Sequence, residues 1–207
     1  STEFINPCSI VYHEPYASST CEMATELLEY MDLGGMLTKT EAECLYTGIL
    51  MDTKNFIVKT GVRTFEAASY LRRLGLNTIA VKKRFNINKE DYDHKVDIVK
   101  TAVEIAPNIA VAKCYNKFAN SKVVASQAAD EMLNINNIRA SFVVYQQENS
   151  IGVSARSLGE INVQLVMEAL GGGGHMSVAG AQIKDRSVDE VVEMVKSSVK
   201  EYLTESK

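Results

Sequence analysis

The residues best suited to chemistry lie in the second half of the chain, in a run of four glycines followed by a histidine. The run is Gly171 to Gly174, and His175 ends it. Glycine loses more backbone entropy on ordering than any other residue, so such a run is a poor helix or strand. It lets successive N–H groups turn towards one anion, and the histidine adds a donor near neutral pH. The alternative is a flexible loop with an incidental histidine.

A second candidate group lies on a segment shortly before the glycines. Apolar residues at 151, 153 and 155 alternate with Ser154 and Arg156. Side chains alternate between the two faces of a strand, so Ser154 and Arg156 are predicted to point the same way. The arginine fork matches a phosphate group, although a solvated arginine at a strand end is the other interpretation. The residues alone leave both open.

Two further candidates lie in the first half of the chain. Asp52 ends an apolar helical pattern, where a carboxylate meets the negative end of the helix dipole and calls for a compensating cation. Lys54, Arg63 or a bound divalent ion could supply that charge. Ser19 with Glu22 fits a capping box, and because a helix N-terminus also binds phosphate, a cap and a ligand role are compatible at Ser19.

The spacing of apolar and turn residues predicts the elements of the first half. A short strand is expected around residues 10–12, followed by helices that begin at Ser19 and at the Thr38 capping box. A third helix is expected over residues 65–74, closed by Gly75 as a C-terminal cap. These elements form a first predicted domain, residues 1–87.

The second half has a different order of elements. Residues 88–106 show helical spacing and are predicted as a linker helix between two domains. Residues 107–207 form the second predicted domain, with a strand, a helix over 121–133 and a hairpin around residues 147–149. A helix capped by Ser157 and Glu160 then leads to the glycine run, a strand and a last helix.

Composition excludes several classes of protein. The net charge of −4 argues against a broad cationic surface for long nucleic acids, but it allows a local pocket for a nucleotide. The four cysteines are scattered without metal or redox spacing, which favours reduced thiols. No apolar segment approaches the length of a membrane helix.

Three patterns, in order along the chain, resemble the DHH phosphoesterases with their DHH-associated domain. They are PYASST at 15–20, GILMDT at 48–53, and SARS at 154–157 continued by GGGGH at 171–175. Within that family, residues 12–20 and 162–164 look most like the membrane-anchored cyclic-di-AMP phosphodiesterases of the GdpP type. The nanoRNase and phosphoadenosine phosphatase branch is similar enough to compete.

The resemblance implies an α/β fold. The expected arrangement is a partial DHH domain, a parallel sheet with helices whose N-terminal half is missing, followed by a smaller DHH-associated domain with a mixed sheet. The intact parent would hold two Mn²⁺ ions, with Asp52 as one ligand and the other ligands upstream of Ser1. No Asp-His-His triplet occurs in the chain, so the catalytic set would be incomplete.

The resemblance also implies a substrate and the residues that bind it. The parent would hydrolyse cyclic-di-AMP to linear pApA, and this chain alone would bind nucleotide without hydrolysing it. The substrate-binding residues would be Ser19, Ser154, Arg156, Asn162, Gly172, Gly173, Gly174 and His175. The alternatives are a short-oligonucleotide exonuclease or phosphoadenosine phosphatase, and a non-catalytic module that binds nucleic acid.

The implied partners are a cyclic dinucleotide or a short oligonucleotide, with a homodimer left open. This segment is expected to make no membrane contact. A cytoplasmic location is expected, with the parent anchored to the bacterial cell membrane by a segment outside this chain.

Overall fold

The computed structural model describes residues 11–205, which fall into two compact units divided between Asn86 and Ile87. The first unit is helical. Its elements are α1 (Thr20–Tyr30), a 3-10 turn (Gly34–Met36), α2 (Lys39–Asp52), α3 (Val62–Arg73) and α4 (Thr78–Arg84). They pack around a small apolar core of Ala42, Ile49, Ala67, Leu71, Leu76 and Val81.

Local capping explains where the first two helices begin. The Ser19 hydroxyl accepts a hydrogen bond from the Glu22 N–H at 3.0 Å, which confirms the predicted start of α1. At α2 the reciprocal capping box of Thr38 and Glu41 is complete. Gly75 has φ +91°, as a glycine that follows a helix often does.

The parallel sheet expected in the first domain is not found among residues 11–86. Val11 and Tyr12 lie outside any strand, and Ile10, also assigned to that strand, lies outside the described residues. A strand needs a neighbour to pair its N–H and C=O groups. The part of the first unit that the structure describes offers no such neighbour.

The second unit is built on one mixed sheet, which confirms the expected α/β class and mixed sheet. Its elements are α5 (Lys89–Lys100), β1 (Val103–Ala106), β2 (Ile109–Cys114), α6 (Ser121–Met132), β3 (Ala140–Gln146), β4 (Ile151–Ser157), α7 (Val163–Glu168), β5 (Gly173–His175), β6 (Val178–Ile183) and α8 (Val188–Glu205). The strand order is β1-β2-β3-β4-β6-β5. Only β2 and β3 pair in parallel, with α6 as the crossover between them.

The sheet separates two apolar cores. On one face, which we call the closed face, α7 and α8 pack over alternate residues of the strands, among them Val111, Phe142 and Val153. On the other face, which we call the open face, α5 and α6 pack over the residues in between, among them Ala112 and Val143. Because α6 packs on β3 and β4, the covering helix stops at the middle of the sheet.

Several predicted boundaries in this unit are wrong. Residues 103–106, expected at the end of a linker helix, form β1, and α5 packs on α6 and β2. The chain leaves the helix at Thr101, whose hydroxyl donates to the Ile98 carbonyl and accepts from the Lys113 N–H of β2. These bonds join the end of α5 to the sheet.

Two other differences concern the segment around α7. The helix expected from Ser157 begins at Val163, because β4 continues to Ser157. The glycine run, expected to be poor strand material, contributes Gly173–His175 to β5. Pairing with β6 supplies the hydrogen bonds that offset the entropy cost of ordering glycine.

No helix among residues 11–205 is both long and apolar enough to cross a membrane.

Candidate functional site

The register of three strands brings the predicted residues together on the open face. Ser154 of β4 lies opposite Gly180 of β6, which lies opposite Gly173 of β5. In the next row, Arg156 lies opposite Val178, which lies opposite His175. The backbones of Arg156 and His175 are therefore two strand spacings apart, about 10 Å.

A cavity of about 410 Å³ opens over these rows, at the edge of α6. A volume of this size is within the roughly 300–1,000 Å³ typical of small-molecule sites. Its polar side chains come from α6, from β3 and the turn that follows it, from β4 and from β6, and three glycines are part of the lining. The lining includes Lys122, Ser126, Tyr145, Gln147, Ser154, Arg156 and Gln182, with Gly172, Gly173 and Gly180.

Arg156 is held in one orientation at this cavity. Its side chain is only 13% exposed, and its Nε donates to the Asp130 carboxylate at 3.2 Å. One Nη1 hydrogen is donated to the Ala155 carbonyl at 3.0 Å. A guanidinium has five N–H donors, so three remain without a hydrogen bond to any residue between 11 and 205. Those donors suit a phosphate.

Further polar side chains lie beside Ser154 and are hydrogen-bonded to one another. The Ser154 hydroxyl lies 3.1 Å from that of Ser126, and Gln147 Nε2 donates to the Tyr145 hydroxyl at 3.2 Å. Burial raises the pKa of Tyr145, while hydrogen bonds to Ser154 and Gln147 and the charge of Arg156 oppose the rise. The phenol therefore stays protonated at neutral pH and is able to donate a hydrogen bond.

The absence of a side chain at Gly152 makes room for this tyrosine. A Cβ on Gly152, opposite Tyr145 in the register, would lie 2.3 Å from the ring. The close approach explains why a glycine occurs in this buried strand. It also fixes the position of the Tyr145 hydroxyl beside the cavity.

The first two residues of the glycine run end α7. The N–H of Gly171 donates to the Glu168 carbonyl, and the N–H of Gly172 donates to the Met167 carbonyl. With φ +75° at Gly171, these bonds form a Schellman cap. The two amides are thus not available for an anion, so the expected nest is not built from them.

The last three glycines of the run differ in the space around their Cα atoms. A Cβ on Gly172 would lie 2.2 Å from the Gly180 carbonyl oxygen, and one on Gly174 would lie 2.4 Å from that of Val178. A Cβ on Gly173 would meet nothing within 4 Å. Gly172 and Gly174 allow two backbones to approach closely, whereas Gly173 leaves open space at the cavity.

Three predicted site residues do not line the cavity. Asn162 is the N-cap of α7, and its side-chain oxygen accepts from the Gln164 N–H at 3.1 Å. It does not line the cavity, and its backbone N–H donates to the hydroxyl of Tyr202 in α8. Ser19 caps α1 in the first unit. His175 is exposed at the end of β5 and shares the row of Arg156.

Asp52 is the last residue of α2 and is exposed. Its charge contributes to the raised pKa of Cys21, for which burial is the larger cause. Arg63, one expected counter-ion, instead pairs with Glu14 and Glu26. Among residues 11–205, no three histidine, cysteine, aspartate or glutamate side chains come together as a metal site. The described residues therefore do not fit a two-metal centre.

Three contributions from α6 were not predicted from the sequence. Lys122, Ser126 and Asp130 are spaced four residues apart, so they lie on one face of the helix. All three border Ser154 or Arg156 or line the same cavity. The spacing was visible in the sequence, but the packing of that helix face against β4 was not.

Comparison with known proteins finds a family match within the second unit and relatives that match nearly the whole chain. Residues 106–201 match the DHHA1 domain family. The chain is 42% identical to the cyclic-di-AMP phosphodiesterase GdpP of Geobacillus thermodenitrificans, over 97% of this chain and 30% of that protein. It is 43% identical to the cyclic-di-AMP phosphodiesterase PdeA of Listeria monocytogenes, over 98% and 31%. The chain thus spans about a third of the length of these relatives.

One more distant relative matches in sequence, and one solved structure matches in fold. The bifunctional oligoribonuclease and PAP phosphatase NrnA of Thermus thermophilus is 26% identical over 92% of this chain and 59% of its own length. A crystal structure of an exopolyphosphatase-related protein from Bacteroides fragilis superposes with a TM-score of 0.84 at 22% identity, covering 94% of this chain and 60% of that one. Residues 106–201 therefore match a DHHA1 domain, and nearly the whole chain is similar to about a third of the length of the cyclic-di-AMP phosphodiesterases GdpP and PdeA.

Proposed function

We propose that the cavity on the open face binds a phosphate and the adjoining nucleoside of an adenine dinucleotide. The observation that carries the proposal is the state of Arg156, which Asp130 orients and whose three other N–H donors meet no described residue. Gly173 leaves the neighbouring surface open to a ligand. Ser154, Gly172, Gly174 and His175 complete the proposed set.

In the whole protein, this site would serve a metal-dependent phosphodiesterase that converts cyclic-di-AMP to linear pApA. The proposal is supported by two relatives named as cyclic-di-AMP phosphodiesterases, which are 42–43% identical to the chain over nearly its full length. We keep Asp52 as a proposed metal ligand and Ser19 as a proposed substrate contact. For Asn162, which the resemblance assigned to substrate, we propose a structural role as the cap of α7. The metal as manganese and a homodimer also remain proposals.

The chemistry that this chain's own residues supply is binding. Arg156 would hold a phosphate through paired, charge-assisted hydrogen bonds, each stronger than a neutral one. The hydroxyls of Ser154 and Tyr145 offer further donors in a region largely removed from water. Since the described residues lack a metal-ligand set, hydrolysis would depend on groups outside them.

A second candidate substrate is a short oligonucleotide. The NrnA relative supports it, although its identity of 26% is lower than that of the cyclic-di-AMP phosphodiesterases. Comparing turnover of cyclic-di-AMP and of a dinucleotide by the full-length parent separates the two. A non-catalytic nucleic-acid module would show turnover of neither.

The test of the binding site is calorimetric titration of the purified chain with cyclic-di-AMP and pApA. We expect Arg156→Gln to weaken binding about tenfold or more, because a hydrogen bond to a charged group contributes about 1.5–3 kcal/mol. Arg186→Gln is the matched control, since Arg186 is exposed and pairs with Glu190 at the start of α8. Gly173→Val adds bulk where the structure has open space and should also weaken binding.

Two results would overturn the proposal. One is a wild-type chain that binds neither nucleotide. The other is an Arg156→Gln variant that binds as well as Arg186→Gln while Gly173→Val retains full affinity. Measuring the melting temperature of each variant separates lost binding from lost folding.

A further inference from the structure

We propose that a second cavity, beside the first, is a subsite for the next phosphate-linked nucleotide of the same ligand. This inference rests on the proposed function of the first cavity. The second cavity has a volume of about 650 Å³ and lies where α6 begins and where β3 turns into β4. Its polar lining consists of two lysines, one carboxylate and several neutral groups, namely Lys117, Lys122, Glu148, Ser121, Gln147, Asn149, Ser150 and Gln182.

The two cavities adjoin one another. Lys122, Gln147 and Gln182 line both of them. A ligand that spans from Arg156 to Lys117 would therefore pass along these three side chains. Each cavity is large enough for a small-molecule ligand, on the roughly 300–1,000 Å³ scale, so the pair has room for two linked nucleotides.

The charge of the second cavity favours a phosphate. Lys122 is exposed and makes no ion pair with any residue between 11 and 205. Lys117 has a single carboxylate near it, Glu148, at 4.0 Å, and both side chains are largely exposed. An exposed pair at that distance contributes about 0–1 kcal/mol, so Lys117 remains available to a competing phosphate.

The amide side chains suit the edge of a base. Gln147 Oε1 accepts from the Ser150 hydroxyl at 3.0 Å and from Gln182 Nε2, which fixes the Gln147 side chain. Gln182 is exposed, and the only hydrogen bond of its side chain within the described part of the chain is the one to Gln147. Its carbonyl oxygen and second N–H therefore form a donor and acceptor pair, the combination that recognises adenine.

The test compares a one-nucleotide and a two-nucleotide ligand, AMP and pApA, on the same chain. Lys117→Gln removes a charge that only the second cavity uses. We expect it to lower the affinity for pApA about three- to tenfold, to leave the affinity for AMP unchanged, and to reduce the salt slope for pApA by about 0.7.

Two further variants separate an effect on binding from an effect on folding or on overall charge. Glu148→Gln removes the carboxylate beside Lys117 and should raise the affinity for pApA, a gain that misfolding cannot produce. Lys196→Gln is the matched control, since Lys196 pairs with Glu193 on α8, which packs on the closed face. It should change neither affinity.

The outcomes distinguish this inference from the proposed function. If the wild-type chain binds neither ligand, the first cavity fails and the second fails with it. If both ligands bind but Lys117→Gln lowers both affinities equally, or neither, the second subsite is overturned while the first stands.

Discussion

The two faces of the sheet in the second unit differ in how completely helices cover them. On the closed face, β2, β3, β4 and β6 contribute buried apolar residues to a core with α7 and α8. On the open face, the residues under α5 and α6 are apolar. The polar residues Ser154, Arg156 and Gln182 lie at and past the edge of α6, where they line the cavity. The proposed site lies where helical cover ends.

The contrast shows how one strand, β4, contributes both to the apolar core and to the cavity. Along β4, Val153 and Ala155 are buried in the closed-face core, while Ser154 and Arg156 between them face the cavity. Because side chains alternate, a substitution on β4 acts on one face at a time. The comparison predicts that closed-face changes reduce stability, and that changes beyond α6 on the open face reduce binding.

The largest effect is expected for Phe142→Ala. Phe142 is fully buried in the closed-face core, and truncating a buried phenylalanine costs about 3–5 kcal/mol. Urea denaturation measures the loss of unfolding free energy. Ser154→Ala on the adjacent strand is the control and should cost about 1 kcal/mol or less. A smaller loss for Phe142→Ala than for Ser154→Ala would contradict the comparison.

The next effect separates two neighbouring glycines. Gly172→Ala should cost about 1–3 kcal/mol, because its Cβ would lie 2.2 Å from the Gly180 carbonyl oxygen and the two backbones must move apart. Gly173→Ala meets no atom within 4 Å and should leave stability nearly unchanged. Thermal unfolding of both variants checks this. Equal melting temperatures would show that β5 and β6 are not held at this distance.

Asn162→Ala tests a residue that the family resemblance assigns to substrate. Asn162 caps α7 on the closed-face side, so the variant should lose about 1 kcal/mol of stability, the usual cost of an N-cap. By the comparison of the two faces, nucleotide affinity should stay unchanged. A loss of affinity without a loss of stability would give Asn162 back its substrate role.

The smallest effect is a pH dependence at Asp189, in the first turn of α8. Lys113 and Tyr115 each donate to its carboxylate at 2.8 Å, and these bonds hold the pKa of Asp189 below its ordinary 3.8. A lowered folded pKa adds stability above pH 3.8, and that stability disappears as the pH falls through the folded value.

Asp189→Asn should therefore be slightly less stable than wild type at neutral pH, and the difference should vanish in acid. Urea unfolding at both pH values provides the measurement. The effect is small because the Asp189 side chain is 63% exposed. A difference that grows in acid would show that the ion pair does not stabilise α8.

Local signals in the sequence predicted much of the fold. The caps at Ser19 and Thr38 need only residues within one helical turn, and both helices begin where expected. The alternation in β4 also placed Ser154 and Arg156 on one face correctly. Residues 103–106 were wrongly predicted to end a helix. They form β1 because they pair with β2, and the helical spacing of their apolar residues does not reveal that pairing.

The site was harder to predict because it depends on contacts between distant segments. Asp130 and Arg156 are 26 residues apart, and nothing in either segment indicates their ion pair. The glycines looked equivalent in sequence, yet the proximity of β6 gives Gly172 a packing role and leaves Gly173 open. Such differences follow only from the tertiary structure.

The three-residue length of β5 has a consequence for self-association. As the last strand of the sheet, β5 presents an unpaired backbone edge, the kind of edge on which another chain can add a strand and start aggregation. Two of its residues are glycine, and the strand ends at His175, so the edge is too short and too poor in β-forming side chains to guide such an addition. Gly173, which leaves space open at the cavity, thus also helps to make this edge a poor template for edge-to-edge aggregation.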